Sequence, residues 1–414
     1  MKKSSNLLPI IIMFFLFSMI SFVTGMQDPF GVIVRAQFKA SNALSQLGNF
    51  ANFIAYACMG LPAGMILKRF GYKISALLAV SVGFIGVCIT FLSGVVESFG
   101  VYLTGAFVSG FSMCMLNSIV NPMLNTLGGG GKRGNQLVQF GGSCNSINAT
   151  IVPVLIGYLI GTVSQDTKIA DANPALFIAM GVFAFAFIVL LFSRIPEPEL
   201  EMAKEAGHTE KVNMGDAIRG ALQHKNLVFG MIAIFMYVGM EVGIANVTNL
   251  FLTSSEVGVT ASISGTIVGM YWFLMFVGRF VGGIFGGKIQ VRTMLTTVLV
   301  TGIALLIIGM CIGTRYSFTF SGEQIPLCVA CFVLCGLCNS VMWGSVFNLA
   351  VNKLGEYTSI ASGLFMIMVC GGGVLPILQA WSVNYLGFVG SYTIPMLALC
   401  YILWFALKGS RVKE

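Results

Sequence analysis

Arg194-Ile195-Pro196-Glu197-Pro198-Glu199 begins the one long polar stretch of this 414-residue chain, which continues to Asn226 and holds six acids and both histidines. Six apolar segments precede it and six follow, each close to the roughly 20 residues that a helix needs to cross a bilayer core. They lie near 7–34, 45–67, 74–96, 99–127, 135–163, 175–193, 227–253, 261–287, 293–314, 325–351, 359–386 and 390–407. The pattern predicts an all-α integral membrane protein with twelve transmembrane helices in two six-helix bundles, 1–194 and 227–414, joined by a cytoplasmic linker at 195–226.

Composition supports a membrane class. The chain is 57% hydrophobic and 9% charged, whereas about a quarter of the residues in a soluble domain are charged. The net charge of +8 comes without any basic run longer than two residues, which argues against a nucleic-acid partner. The eleven cysteines fall mostly in apolar segments, so a disulfide framework is not expected.

The basic residues predict the orientation. With the N-terminus inside, nineteen of the twenty-three Lys and Arg residues fall on the cytoplasmic side. No small-residue cleavage site follows the first segment, so we interpret it as a helix and not as a signal peptide. We therefore expect a multi-pass protein of the cell membrane, in a bacterium the inner membrane, with both termini cytoplasmic and membrane lipid around it.

The two halves repeat each other. Asn125-Thr126-Leu127-Gly128 ends the fourth segment, and Asn352-Lys353-Leu354-Gly355 ends the tenth; a glycine-rich segment with an internal proline follows each. Parallel six-helix repeats of this kind are related by a pseudo-two-fold axis and are typical of transporters that rock about a site at the repeat interface.

Two acids lie within apolar segments, Asp28 in the first and Glu241 in the seventh. A carboxylate at membrane depth is costly and is a functional candidate by default, so both are candidates for proton coupling. The alternative is a structural pair with a buried amide or Arg. Asp28 is the stronger candidate because Pro29 loosens the helix beside it. No Lys or Arg is expected mid-membrane, since Arg35 and Arg279 fall near helix ends.

Amides and aromatic rings supply the candidate binding groups. Side-chain amides donate and accept hydrogen bonds, which suits a polyhydroxylated, uncharged ligand, and an aromatic face stacks on a sugar ring. Helix association and ordinary packing are the alternatives for any one of them. The candidate substrate-binding residues are Asn117, Asn121, Gln139, Asn145, Asn246, Tyr271, Trp343 and Asn348.

Two patterns resemble cofactor sites but do not predict them. The glycine runs at 128–131 and 371–373 follow no strand and lack a Gly-Lys-Ser/Thr ending, so close helix packing or a hinge explains them better. Cys328, Cys331, Cys335 and Cys338 share one stripe of a continuous helix and cannot surround a tetrahedral ion. We expect that the protein binds no metal and no cofactor and that it is not an enzyme.

The loop Gly64-Met65-Ile66-Leu67-Lys68-Arg69-Phe70-Gly71-Tyr72-Lys73 is similar to the G-x-x-x-D-R-x-G-R-K signature of the major facilitator superfamily. Lys68 replaces the acid of that signature, and Tyr72 replaces an Arg. We interpret Gly64, Arg69, Gly71 and Lys73 as part of a cytoplasmic gate, together with Arg279.

Longer motifs resemble the L-fucose permease family of sugar:proton symporters. They are Asp28-Pro29, Asn121-Pro122, Gln139, Tyr237-Val238-Gly239-Met240-Glu241, Gly278-Arg279-Phe280, the string from Phe347 to Gly355, and Gly371-Gly372-Gly373-Val374-Leu375-Pro376. The resemblance implies that Asp28 carries the proton. Asn117 stands where the family has a glutamate, and Trp343 where it has a tyrosine, which implies that the sugar need not be fucose.

Secondary active uptake of a neutral monosaccharide with H⁺ or Na⁺, by a monomer, is the leading hypothesis. A multidrug exporter fits the acids and the methionines but not the many amides, and an anion carrier lacks a mid-membrane cation. A membrane sensor or scaffold would need a signalling domain that the linker and the tail do not supply.

Overall fold

The structure is a computed structural model that describes residues 7–39, 44, 47–129, 131–160, 167–197, 214–286, 288–352, 354 and 357–411. Side chains at a few positions inside these ranges, including Asp28 and Lys68, lie outside what it describes.

The part before the polar stretch contains six long helices. They are α1 (Leu7–Phe38), α2 (Leu47–Leu67), α3 (Arg69–Val95), α4 (Phe99–Leu127), α5 (Gly131–Ile160) and α6 (Asn173–Phe192). A short 3₁₀ turn, Ile169–Ala172, leads into α6, and Pro174 occupies its first turn, where a missing N–H is tolerated. Within the polar stretch, α7 spans Met214–Leu222.

The later part again contains six apolar elements, two of which are interrupted. The helices are α8 (Lys225–Leu252), α9 (Ala261–Phe285), α10 (Val291–Ile312), α11 (Leu327–Asn339), α12 (Met342–Ala350), α13 (Thr358–Ile367), α14 (Gly371–Gly390) and α15 (Thr393–Trp404). A 3₁₀ turn, Met368–Cys370, joins α13 to α14, and a π-turn, Phe405–Gly409, ends α15.

The helical class is confirmed, and the twelve predicted segments correspond to these elements. The fourth segment, predicted at 99–127, has the observed bounds Phe99–Leu127. Nine of the described helices are long and apolar enough to cross a membrane, and ten if the bent pair α11 and α12 is one span.

A two-stranded hairpin was not predicted. Strand β1 (Ser317–Phe320) pairs antiparallel with β2 (Glu323–Pro326) between α10 and α11. Its tight turn places Ser321 and Gly322 at positive φ. A Glu323 carboxylate oxygen accepts a hydrogen bond from the backbone N–H of Thr260, the residue before α9, at 3.0 Å. The hairpin therefore covers the start of that helix.

The chain divides into two compact units, 1–223 with 354–367, and 224–353 with 368–414. The division differs from the predicted domains because α13 groups with the first unit. Within that unit, a Cβ on Gly60 would lie 2.9 Å from the backbone nitrogen of Ile367, so the glycine permits close contact between α2 and α13. The predicted boundaries remain a prediction.

A glycine and a glutamate together shape a kink at Gly71, near the start of α3. Gly71 has φ 76°, a left-handed conformation that favours glycine. The carboxylate of Glu197 accepts hydrogen bonds from the backbone N–H groups of Tyr72 and Lys73, at 2.7 and 2.8 Å. The Lys73 amine donates to the carbonyls of Leu191 and Ser193 at 2.9 and 2.8 Å. Position 68 has a lysine where the signature has an acid, and Glu197, from the start of the polar stretch, supplies a carboxylate near this position.

Replacing Glu197 by alanine is expected to lower the free energy of unfolding by about 1–2 kcal/mol. The variant loses an anionic cap from the first free N–H groups of the helix that follows Gly71. Thermal unfolding of the purified protein in detergent measures the effect. Glu256→Ala removes an exposed carboxylate elsewhere and serves as the control; an equal loss in both variants would contradict the capping role.

Candidate functional site

The first unit contains a row of buried polar groups along α4. The Asn117 amide donates to the Tyr56 hydroxyl of α2 at 2.9 Å, and the Asn121 amide donates to the Asn117 carbonyl at 3.0 Å. These asparagines are four residues apart, so they lie on one face of the helix. Tyr56 is 2% exposed and was not among the sequence candidates. Nothing in its local sequence separates it from an ordinary packing tyrosine.

Two candidates on α5 have different surroundings. The Asn145 amide donates to the backbone carbonyl of Phe17 on α1 at 3.1 Å, which favours the helix-joining alternative. Gln139 is 5% exposed, and its side-chain nitrogen has no hydrogen-bond partner among the described residues. An unpaired buried donor is costly unless something else accepts its hydrogen bond. A ligand hydroxyl is suited to accept the hydrogen bond from the Gln139 side-chain nitrogen.

The side chain of Asp28 lies outside the described residues. Its place in the chain is clear, because it occupies α1 between Met26 and Phe30, whose side chains are buried. Its role in coupling therefore stays a prediction from the sequence.

The second unit contains a buried ion pair. The Arg279 guanidinium of α9 donates to the Glu241 carboxylate of α8 at 3.2 Å, and each side chain is 11% exposed. Arg279, which the sequence places near a helix end, thus contacts one of the two acids of the predicted membrane segments. Arg279 is near one end of its helix, but its long side chain reaches a carboxylate in the middle of α8. The alternative of a structural pair with an Arg, left open for the embedded acids, describes this contact.

Hydroxyl and amide groups extend the pair into a network. The Tyr271 hydroxyl donates to the backbone carbonyl of Glu241 at 2.9 Å and accepts from the Asn339 amide at 2.8 Å. Tyr237 lies close enough to both charges to interact with them electrostatically. The Asn339 side-chain oxygen has no partner among the described residues. Asn339 was not among the sequence candidates.

The aromatic candidates gather near this network. The rings of Tyr237 and Trp343 have centroids 6.4 Å apart, and those of Tyr271 and Trp272 are 5.2 Å apart. Trp343 is half-buried in the first turn of α12, immediately after the break that follows α11.

The structure does not bring every sequence candidate together. Asn348 is exposed on α12, and Asn246 is half-buried on α8. Of the gate candidates, Arg69 is exposed with its guanidinium 5.2 Å from the Phe70 ring, and a Cβ on Gly64 would lie 3.8 Å from the Gly363 Cα. Their role as a gate stays a prediction.

The four cysteines of the metal-like pattern lie along α11 without disulfides. The Cys335 thiol donates to the carbonyl of Cys331 at 3.4 Å, a bond within the helix. No cluster of three metal-binding side chains occurs in the described part of the chain.

Chemically, each unit presents neutral hydrogen-bonding groups, and the second adds two indole and two phenol rings around a charge pair that is neutral overall. Such a surface suits an uncharged ligand that carries hydroxyl groups, since neither unit shows a described cluster of like charges in these segments. The groups are suited to reversible binding and contain no nucleophile and base in hydrogen-bond contact.

Comparisons with known proteins identify the family. The Major Facilitator Superfamily domain matches residues 11–407. The glucose/galactose transporter of Brucella abortus is 27% identical, covering 96% of this chain and 92% of that protein. The L-fucose-proton symporter of Escherichia coli is 20% identical over 98% of this chain and 94% of its own length.

A solved structure has the same fold. The crystal structure of the E. coli fucose:proton symporter FucP superposes with a TM-score of 0.79 at 17% identity, covering 99% of this chain and 100% of that one. At this identity the likeness speaks for the fold alone. Because the family match covers nearly the whole sequence, the chain belongs to the Major Facilitator Superfamily.

Proposed function

We propose that this protein is a secondary active transporter that carries a neutral sugar together with a proton by alternating access. The observation that carries the proposal is the lining of the polar sites, which consists of amides, hydroxyls and aromatic rings beside one compensated ion pair. Full-length relatives named as glucose/galactose transporters support it. These relatives also favour symport over the export of drugs.

The proposed substrate is a hexose such as glucose or galactose. Relatives with those names are 27–28% identical to this chain, against 20% for the fucose symporter of E. coli. This chain differs from the L-fucose permease family in having Asn117 in place of a helix 4 acid and Trp343 in place of a tyrosine. We expect these two differences to change the sugar preference. Trp343 would stack on the apolar face of the sugar ring.

Asp28 and Glu241 are the candidate proton-binding groups, because they are the two acids that fall within predicted membrane segments. Asn117, Asn121, Gln139, Asn145, Asn246, Tyr271, Trp343 and Asn348 remain the proposed sugar-binding set, of which Asn145 also joins α5 to α1. A neutral carboxyl is less costly than a carboxylate in a closed, dehydrated site, so proton binding favours passage of the loaded protein.

The proposal also covers the orientation of the protein, its membrane, its oligomeric state and its coupling ion. Both termini lie in the cytoplasm, as the bias of basic residues predicts, and the membrane is a bacterial inner membrane. The protein works as a monomer, and H⁺ is the coupling ion in preference to Na⁺, in keeping with the proton symporters among its relatives.

Uptake by proteoliposomes tests the function. Radiolabelled glucose and galactose are expected to accumulate when the outside is acidic, to equilibrate without a gradient, and to compete with each other. L-Fucose serves as the comparison sugar, and a sodium gradient at constant pH tests the other ion. Absence of accumulation for all of these sugars under a proton gradient would overturn the proposal.

A further inference from the structure

The tenth apolar segment is broken in its middle. Helix α11 ends at Asn339, α12 begins at Met342, and their axes differ by 43°. At a break, backbone carbonyls lose their partners within the helix and need others. The Ser340 hydroxyl donates to the carbonyl of Leu337 at 2.7 Å, and the Arg279 Nε donates to the carbonyl of Ser340 at 3.2 Å. Arg279 therefore caps the break.

Helix α9 is shaped to lie against this break. A Cβ on Gly278 would collide with the Ser340 hydroxyl and lie 2.9 Å from the carbonyl oxygen of Leu337. A Cβ on Gly282 would collide with the Val341 side chain. The sequence Gly278-Arg279-Phe280-Val281-Gly282 thus places two glycines against the break, with the arginine between them. In the sequence we interpreted Arg279 as part of a cytoplasmic gate, which stays a prediction; in the structure it contacts both the break and Glu241.

Glu241 is held by the same arginine. Its carboxylate accepts from Arg279 Nη2, its backbone carbonyl accepts from Tyr271, and Tyr237 lies near both charges. Among the described residues of the broken segment, the Cys335 thiol interacts electrostatically with Tyr271. Protonating Glu241 would remove from the buried Arg279 cation the carboxylate with which it forms an ion pair among the described residues. Removing one member of a buried pair is far more costly than removing both.

We propose that Glu241 stays ionised as the fixed counter-ion of Arg279 and that the pair positions the helix break, and with it Trp343, for sugar binding. Glu241 is then a positioning residue and does not carry the coupled proton, a task that falls to Asp28 alone. The inference rests on the proposed function for its substrate. It assigns different roles to the two acids that the sequence places together.

Paired neutralisation separates a counter-ion from a proton carrier. Glu241→Gln and Arg279→Gln are each expected to lose most of the sugar uptake in proteoliposomes, and to melt about 5 °C or more below the wild type. The double variant Glu241→Gln with Arg279→Gln is expected to melt above either single variant. It is expected to recover accumulation of glucose or galactose driven by a proton gradient. Its KM for sugar is expected to be raised, because Trp343 is less well placed, while its ratio of protons to sugar stays that of the wild type.

Other results would overturn the inference. A double variant that exchanges sugar but does not accumulate it would place Glu241 on the proton path. A double variant that is no more stable than the single ones would refute the pairing, and this measurement needs no transport. If wild type takes up no sugar, the proposed function fails, while the melting temperatures still test the pair.

A second measurement does not depend on folding of the double variant. Adding sugar to Asp28→Asn proteoliposomes in a weakly buffered medium is expected to cause no proton uptake, whereas wild type alkalinises the medium. Sugar-dependent proton uptake by Asp28→Asn would show that a group other than Asp28 carries a proton and would overturn the proposal.

Discussion

Replacing Asp28 by asparagine is expected to abolish proton-driven accumulation of sugar while sparing exchange of sugar between the two sides of the membrane. Asp28 belongs to α1, in which the side chains of Met26 and Phe30 on either side of it in sequence are buried. An amide of the same size keeps the hydrogen bonds of a protonated carboxyl but never binds or releases a proton. The substituted protein would therefore cycle as if it were permanently loaded.

Proteoliposomes containing sugar measure both activities in one preparation. Counterflow of labelled sugar reports exchange, and uptake under an acid-outside gradient reports coupling. Asp216→Asn makes the same chemical change on an exposed side chain of α7 and is expected to leave both activities at the wild-type level. Gradient-driven accumulation by Asp28→Asn at the wild-type level would show that another group carries the proton.

Replacing Gly371 by alanine is expected to destabilise the protein by about 1–3 kcal/mol and to reduce the amount of folded protein that can be purified. Gly371 begins α14, and its added Cβ would collide with the Phe235 carbonyl oxygen of α8. The Cβ would also lie 2.8 Å from the Phe235 carbonyl carbon and 3.0 Å from its Cα. These are backbone atoms, so no side chain can rotate away. The two helices would have to separate.

Gly265→Ala is a matched control, because a Cβ at Gly265 meets nothing within 4 Å. Within α9, alanine has a better helix propensity than glycine by about 1 kcal/mol, so this variant is expected to be neutral or slightly more stable. Thermal unfolding of both variants in one detergent compares them. Equal melting temperatures would mean that α8 and α14 are not in close contact.

Helix positions were the most predictable part of the fold. Hydrophobic length alone set segments such as 99–127, since the bilayer demands a near-constant span of apolar residues. The break between α11 and α12 could not be predicted in the same way. Residues 340 and 341 are serine and valine, neither of which interrupts a helix as proline or glycine does. The bend is held by α9, a tertiary contact without a local sequence signal.

The residue types of the site could be predicted from the sequence, but the contacts between these residues could not. Burial of a charge made Glu241 a candidate at once, whereas its partner is 38 positions away and was assigned to a gate. Tyr56 and Asn339 were absent from the candidate set, because a tyrosine or an asparagine in an apolar segment has several ordinary explanations. Only the contacts in the folded protein distinguish between these explanations.

The anchoring of the polar stretch has a practical consequence for labelling the protein. Glu197 binds the start of α3, and a Cβ on Gly220 would lie 2.6 Å from the Tyr357 ring, so contacts within the first unit hold the stretch near both ends. The Asn226 amide donates to the carbonyls of Ala350 and Asn352 in the second unit. The segment that connects the part held by the first unit to the part held by the second is thus confined to a few residues around 223–225. A fluorescent domain inserted between positions 198 and 213 would therefore leave the length of that connecting segment unchanged.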